Sequence, residues 1–161
     1  MLARLPGPVR ADLRRLSPRA RVLAWAETES GHAVALAGQL AWSRGAADWG
    51  LIGWHDVVRG SWDSATSQLA WQDGQGREER IELTRPGRLP IVFQDRVEAT
   101  FVLERRLGQG RQAVVVSAQR RLDDDQAALI WRLTPIDRTA VRPDDLEEAE
   151  RLLERLRASY D

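Results

Sequence analysis

The chain has 161 residues, with 24 basic and 24 acidic side chains and no net charge. That length suits one domain able to bury a core without staples. The absence of cysteine excludes disulfides and thiolate metal sites, and a neutral chain has no global field to draw in nucleic acid or an anionic membrane. All the basic residues are arginine, while lysine and asparagine are both missing. Those two residues share codons beginning AA, so the arginine content partly reflects base composition and is a weak sign of phosphate binding.

The opening segment, MLARLPGPVRADLRRLSPRA, lacks the continuous apolar core of a signal peptide. No run approaches the ~18 apolar residues of a membrane span. The expectation is a cytoplasmic protein with no membrane insertion. Within residues 1–20, Val9, Leu13 and Leu16 share one helical face. A short helical arm laid against the body is expected there.

Residues 21–84 read as a β-rich half. RVLAWAET is a first strand ended by Ser30-Gly31, and HAVALAGQLAWSR reads as two strands around Gly38-Gln39. GAADWG reads as a loop before LIGWHDVV. WHDVVRGSWDSATSQLAW then makes a hairpin turning at Ser64–Thr66. Alternation puts Val58 and Trp62 on one face, and Val57, Arg59, Ser61 and Asp63 on the other. Leu69 and Trp71 share a face on the return strand, beside Trp62. DGQG is a turn signal, and REERIELT directs Ile81 and Leu83 inward.

The period changes at residues 86–98. Leu89, Val92, Phe93 and Val97 follow helical spacing, and Pro90 suits a first turn. Residues 99–134 return to strands. TFVLERRL can extend the helix, but its β-branched and aromatic residues favour a strand. RQAVVVSAQRRL is a strand buried on both faces. AALIWRLT directs Ala127, Leu129, Trp131 and Leu133 inward. Residues 143–160 form an amphipathic helix, with Leu146, Ala149, Leu152, Leu153, Leu156 and Tyr160 on one stripe. Its acidic first turn and arginine-bearing last turn suit the helix dipole. The fold class is therefore α+β in one domain, 1–161: a curved antiparallel sheet or partial barrel, a middle helix, further antiparallel strands and a C-terminal helix. The C-terminal stripe is expected to cover the sheet near Leu129, Trp131 and Leu133.

Few residues invite a chemical role. His55 and Asp56 suggest an imidazole oriented by a carboxylate, but neighbours on a strand point to opposite faces. His32 is the other histidine, and no H-x-H or H-x-x-x-H spacing completes a metal site. GQGR recurs at Gly74–Arg77 and Gly108–Arg111, both between strands, where hairpin turns are the better reading than a phosphate cradle. Asp123–Asp125 lack the spaced ligands of a calcium loop. No G-x-S-x-G elbow occurs. Trp62, Trp71 and Trp131 fall on core faces, whereas Trp42, Trp49 and Trp54 flank the GAADWG loop and, with His55, are the candidate ligand-binding residues. The reading assigns no catalytic residue, no metal and no cofactor.

IGWHDVVRGSWDSATSQLAWQD is similar to the aromatic–x–Asp–Val/Ile, turn, apolar–x–aromatic hairpin of bacterial pleckstrin-homology-like domains. The layout from Arg21 to Glu98, consecutive antiparallel strands followed by a helix, resembles that fold. RVLAWAE, WHDVV, RPGRLPIVFQDRVEATFVLERRL and the C-terminal helix together resemble a family of small uncharacterised actinobacterial proteins. Thr100–Thr134 departs from a minimal domain of this kind. The resemblance implies binding rather than catalysis.

The leading expectation is thus a non-enzymatic binding or protein-interaction module, a monomer or weak homodimer, whose partner is a protein or small ligand and not nucleic acid. The alternative is a small enzyme or ligand-binding protein using the Trp42–Trp54 region.

Overall fold

The computed structural model describes residues 4–45 and 47–160. The chain forms two compact units, Met1–Glu98 and Ala99–Asp161, where the sequence reading treats it as one domain.

The first unit begins with α1 (Gly7–Leu16), which has proline in its first turn, and Arg14 and Arg15 in its last. Both features favour a helix: proline needs no N–H partner there, and cations suit the negative end. Leu5, Val9 and Leu13 pack with Val34, Leu36 and Ala41 in one core cluster. Burial of this kind is worth about 1.5–3 kcal/mol per large apolar side chain. Leu16, expected on the same face, is exposed.

Seven strands follow: β1 (Val22–Thr28), β2 (His32–Leu36), β3 (Gln39–Ser43), β4 (Trp49–Gly53), β5 (Val57–Asp63), β6 (Gln68–Asp73) and β7 (Glu78–Arg85). They pair antiparallel in the order β4-β3-β2-β1-β7-β6-β5. The edge strands β4 and β5 are joined by the single 3-10 turn Trp54–Asp56. Four residues reach no further than about 14 Å, whereas seven flat strands would span about 29 Å. The sheet must therefore curl until its two edges meet at that corner. Because β4 and β5 do not pair, it is a strongly curved open sheet and not a closed barrel.

Side-chain size follows the curl. Ala33 lies beside Trp42, and Ala35 beside Leu40, on neighbouring strands, so small residues alternate with large ones along the interior face. Val34 and Ala41 point the other way, under α1. The middle helix, α2 (Leu89–Thr100), buries Leu89, Phe93 and Val97. It starts three residues later and ends two residues later than the 86–98 expected. Interior rings stack edge to face: Trp42 on Trp71 at 4.9 Å and Trp54 on Phe93 at 5.8 Å, with Trp71 tilted on Phe93 at 6.1 Å.

Three details of β4–β6 differ from the sequence expectation. Trp49 and Gly50 open β4 and do not belong to a loop. A bulge between Val57 and Arg59 pairs Val57 with Asp73, on the face of Trp71, so Val57 is buried and not outward. Trp62 pairs with Leu69 as expected, but it lies on an edge strand and is only half-buried.

Both GQGR segments fall in turns between strands. In the first, Asp73 Oδ1 accepts the N–H groups of Gln75 (2.9 Å) and Arg77 (3.0 Å), and Gly76 takes a positive φ of 83° that favours glycine. Partial burial pushes the Asp73 carboxyl up, but hydrogen bonds from Arg77 and Gln75 outweigh it and hold it below the usual carboxylate range.

The second unit contains β8 (Phe101–Leu107), β9 (Val114–Gln119) and β10 (Ile130–Pro135), ordered β10-β9-β8, then α3 (Pro143–Tyr160). β9 is central and buried on both faces. α3 lies on β9 and β10, with Ala149 in a cluster with Val114 and Val116. Leu133, Leu146, Leu152, Leu153 and Leu156 pack against it. Trp131 meets Tyr160 at 5.7 Å, but it is only half-buried, short of the core position expected.

Between β10 and α3, Asp137 organises the connection. Its carboxylate accepts hydrogen bonds from Thr139 Oγ1 (2.6 Å), Arg111 Nε (2.8 Å) and the Thr139 N–H (2.9 Å). Hydrogen bonding from Thr139, then from Arg111, holds this carboxyl far below the usual range. The folded value lies below the unfolded one, so the stabilisation is present above the ordinary aspartate value and lost as pH falls. Asp137→Asn is expected to lower stability near neutrality, with the difference from the parent shrinking below about pH 4. Urea unfolding of both proteins from pH 7 to pH 2 checks this, and a difference independent of pH would refute it.

Candidate functional site

Structure scatters the four candidate ligand-binding residues. Trp54 has no exposed surface, and its Nε1 donates to the Leu36 carbonyl at 2.9 Å. Trp42 is buried on the interior face, with the Arg44 guanidinium 5.5 Å from its ring centre. Trp49 pairs with Ser43, so it lies on the opposite face of the sheet from Trp42. It packs beside α1 and donates from Nε1 to Asp12 Oδ2 at 3.2 Å. These indoles serve the core or fasten α1, and they do not converge on one ligand.

His55 does not lie on a strand. Residues 54–56 form a 3-10 turn and not a strand, so strand alternation does not separate His55 from Asp56. His55 Nε2 lies 3.5 Å from Asp56 Oδ2. The His55 ring also occupies the space where a side chain on Gly53 would project, 2.4 Å from an ideal Cβ. Its role is therefore at least partly to pack the corner between β4 and β5. His32, the other histidine, instead tilts against Trp25 at 5.8 Å. Among the described residues, no group of three or more His, Cys, Asp or Glu is arranged to hold a metal ion. No described helix is long and apolar enough to cross a membrane.

A concave site lies elsewhere, on the outward face of β5–β7. It has a volume of about 480 Å³ and is lined by residues 59–61, 70–72 and 78–80. Cross-strand register builds it. Arg59, Gln72 and Glu78 form one row, and Ser61, Ala70 and Arg80 form the next. The small side chains of Ser61 and Ala70 give a low floor, while longer side chains rise around it. The two arginines stand diagonally across the strands, their Cα atoms about 12 Å apart from strand spacing and rise. Arg59, Glu78 and Arg80 are exposed, and they make no side-chain hydrogen bond or ion pair among the described residues. Charges of both signs are therefore left available around a small-residue floor.

No family model, curated protein or solved structure matches the chain. Chemistry and geometry are what assign the site.

The charged residues of the groove, Arg59, Glu78 and Arg80, have no distinctive mark in the sequence because they occupy ordinary exposed strand positions. Glycine inside a strand was the available signal. Gly60 has no Cβ because one would lie 2.5 Å from the Phe93 ring, and Gly50 because one would lie 2.4 Å from the Trp42 ring. Glycine within strands marks close approach of another group.

Proposed function

We propose that the chain is a non-enzymatic binding module, and that its partner is a polypeptide segment seated on the outward face of β5–β7. The observation that carries this reading is the groove bearing unpaired Arg59, Arg80 and Glu78 over a floor of Ser61 and Ala70. Small-molecule sites are concave and mostly apolar, with few polar groups. This groove is open and charged, which suits a polar polypeptide surface better. Each of the two arginines favours a carboxylate, for which the guanidinium fork offers two parallel donors.

The pleckstrin-homology-like and actinobacterial resemblance belongs to the same proposal. Its support is the run of consecutive antiparallel strands and the helix after β7. A reducing cytoplasm suits the cysteine-free chain. A second reading, a small-ligand or enzymatic site at Trp42–Trp54, has the His55–Asp56 approach in its favour. It is the weaker one, because Trp42 and Trp54, the walls such a pocket would need, are packed into the interior.

Selection of a displayed random dodecapeptide library tests the proposal. The parent protein is expected to enrich peptides carrying acidic residues. Arg80→Glu is expected to lose that enrichment by tenfold or more, whereas Arg14→Glu, on α1, keeps it. Equal enrichment by the parent and Arg80→Glu would overturn the assignment.

A further inference from the structure

β5 ends the seven-stranded order and pairs only with β6. On its other side, Val58–Asp63 make no backbone hydrogen bond to another described residue. Such an edge is a template for another strand unless its side chains forbid pairing. Here the side chains select a partner. We propose that β5 pairs antiparallel with β5 of a second copy, about a two-fold axis at Ser61, joining two of these sheets into one.

Register selects the second copy. An antiparallel strand pair about a two-fold axis sets one residue opposite itself, and the interface is isologous. With Ser61 at the axis, Arg59 faces Asp63 of the partner subunit, and Asp63 faces the partner subunit's Arg59. Opposite charges thus meet twice, with no like charges directly across. Opposite charges at such positions stabilise a sheet, and like charges destabilise it. The neighbouring registers lose this match. Centring on Gly60 sets Arg59 across from Ser61, and centring on Trp62 sets Asp63 across from Ser61. Both charged groups are free to act: Arg59 is unpaired, and Asp63 uses Oδ1 to accept the Ala65 N–H at 2.9 Å.

The Ser61 register also places Trp62, half-buried at the free edge, across from the partner's Gly60. The paired stretch, residues 59–63, is the end of β5 away from the Trp54–Asp56 corner, where the edges of the sheet come together. Five residues make a small interface, so the dimer is weak and depends on concentration.

This inference goes beyond the peptide-binding reading: the edge and the outward groove share Arg59, Gly60 and Ser61, whereas Trp62 and Asp63 belong to the edge alone. Sedimentation equilibrium of the full chain over a wide concentration range tests it. The parent is expected to self-associate. Asp63→Arg sets like charges across the axis and is expected to weaken association by about tenfold or more. Arg59→Asp is expected to do the same. The double exchange of Arg59→Asp with Asp63→Arg is expected to restore it. Circular dichroism confirms that each variant is folded, and two opposite single variants keep the test open if one of them is not. A parent that is monomeric throughout overturns the proposal. So does a charge-insensitive dimer, or one lost in Leu51→Glu, which pairs through β4 instead. Asp63 does not line the groove, so peptide enrichment by Asp63→Arg reports the function separately. Loss of enrichment in Arg80→Glu with association unchanged bears on the groove alone.

Discussion

Trp71→Ala is expected to destabilise the chain by about 3–5 kcal/mol, the usual cost of deleting a large buried aromatic. Trp71 is 4% exposed. It sits at the middle of the interior rings, with Trp42 on one side and Phe93 on the other. These neighbours come from β3 and α2, so the ring ties together elements far apart in sequence. Alanine would leave a cavity that the curled sheet cannot close without moving both. Trp62→Ala, by contrast, removes a half-buried edge ring, and its expected cost is smaller. Urea unfolding followed by far-ultraviolet circular dichroism compares the two. A cost below about 1 kcal/mol for Trp71, or a larger cost for Trp62, would mean that this hairpin does not have the register described.

Removing α3 by ending the chain before Pro143 is expected to leave the second unit without a stable tertiary structure. α3 supplies Ala149 to the cluster of Val114 and Val116, and its leucines pack around them. The face of a three-stranded sheet exposed by its loss would be largely apolar, and small sheets need such cover to be stable. The helix depends equally on the sheet, because an isolated helix of this length is marginal in water. The shortened chain should bind a hydrophobic dye, lose near-ultraviolet dichroism and aggregate, the signature of lost packing with retained secondary structure. A shortened chain as cooperative in urea as the parent would show that α3 is a detachable arm.

Local signals determined much of the architecture. Pro143, the acidic first turn and the leucine stripe are enough to place α3 from 143 to 160, because helix caps and a 3.6-residue period are local properties. The same holds for the strand at TFVLERRL, where β-branched and aromatic residues prevail over a continuing helix, and for the glycine turns between strands. The α+β class and the curved antiparallel sheet follow from the order of these elements. What only the tertiary structure decided is where alternation breaks and what lies across the chain. The bulge that buries Val57, the 3-10 turn that brings His55 to Asp56, and the edge position that half-exposes Trp62 all depend on pairing between distant strands. The candidate site shows this most plainly. Trp42, Trp49 and Trp54 drew notice because indoles are rare and chemically versatile, yet curling of the sheet turns two of them inward and sets Trp49 beside α1. Arg59, Ser61, Ala70, Glu78 and Arg80 have no distinctive local pattern. They become a site because three strands align them side by side, and side-chain neighbours across a sheet are set by register and not by sequence distance.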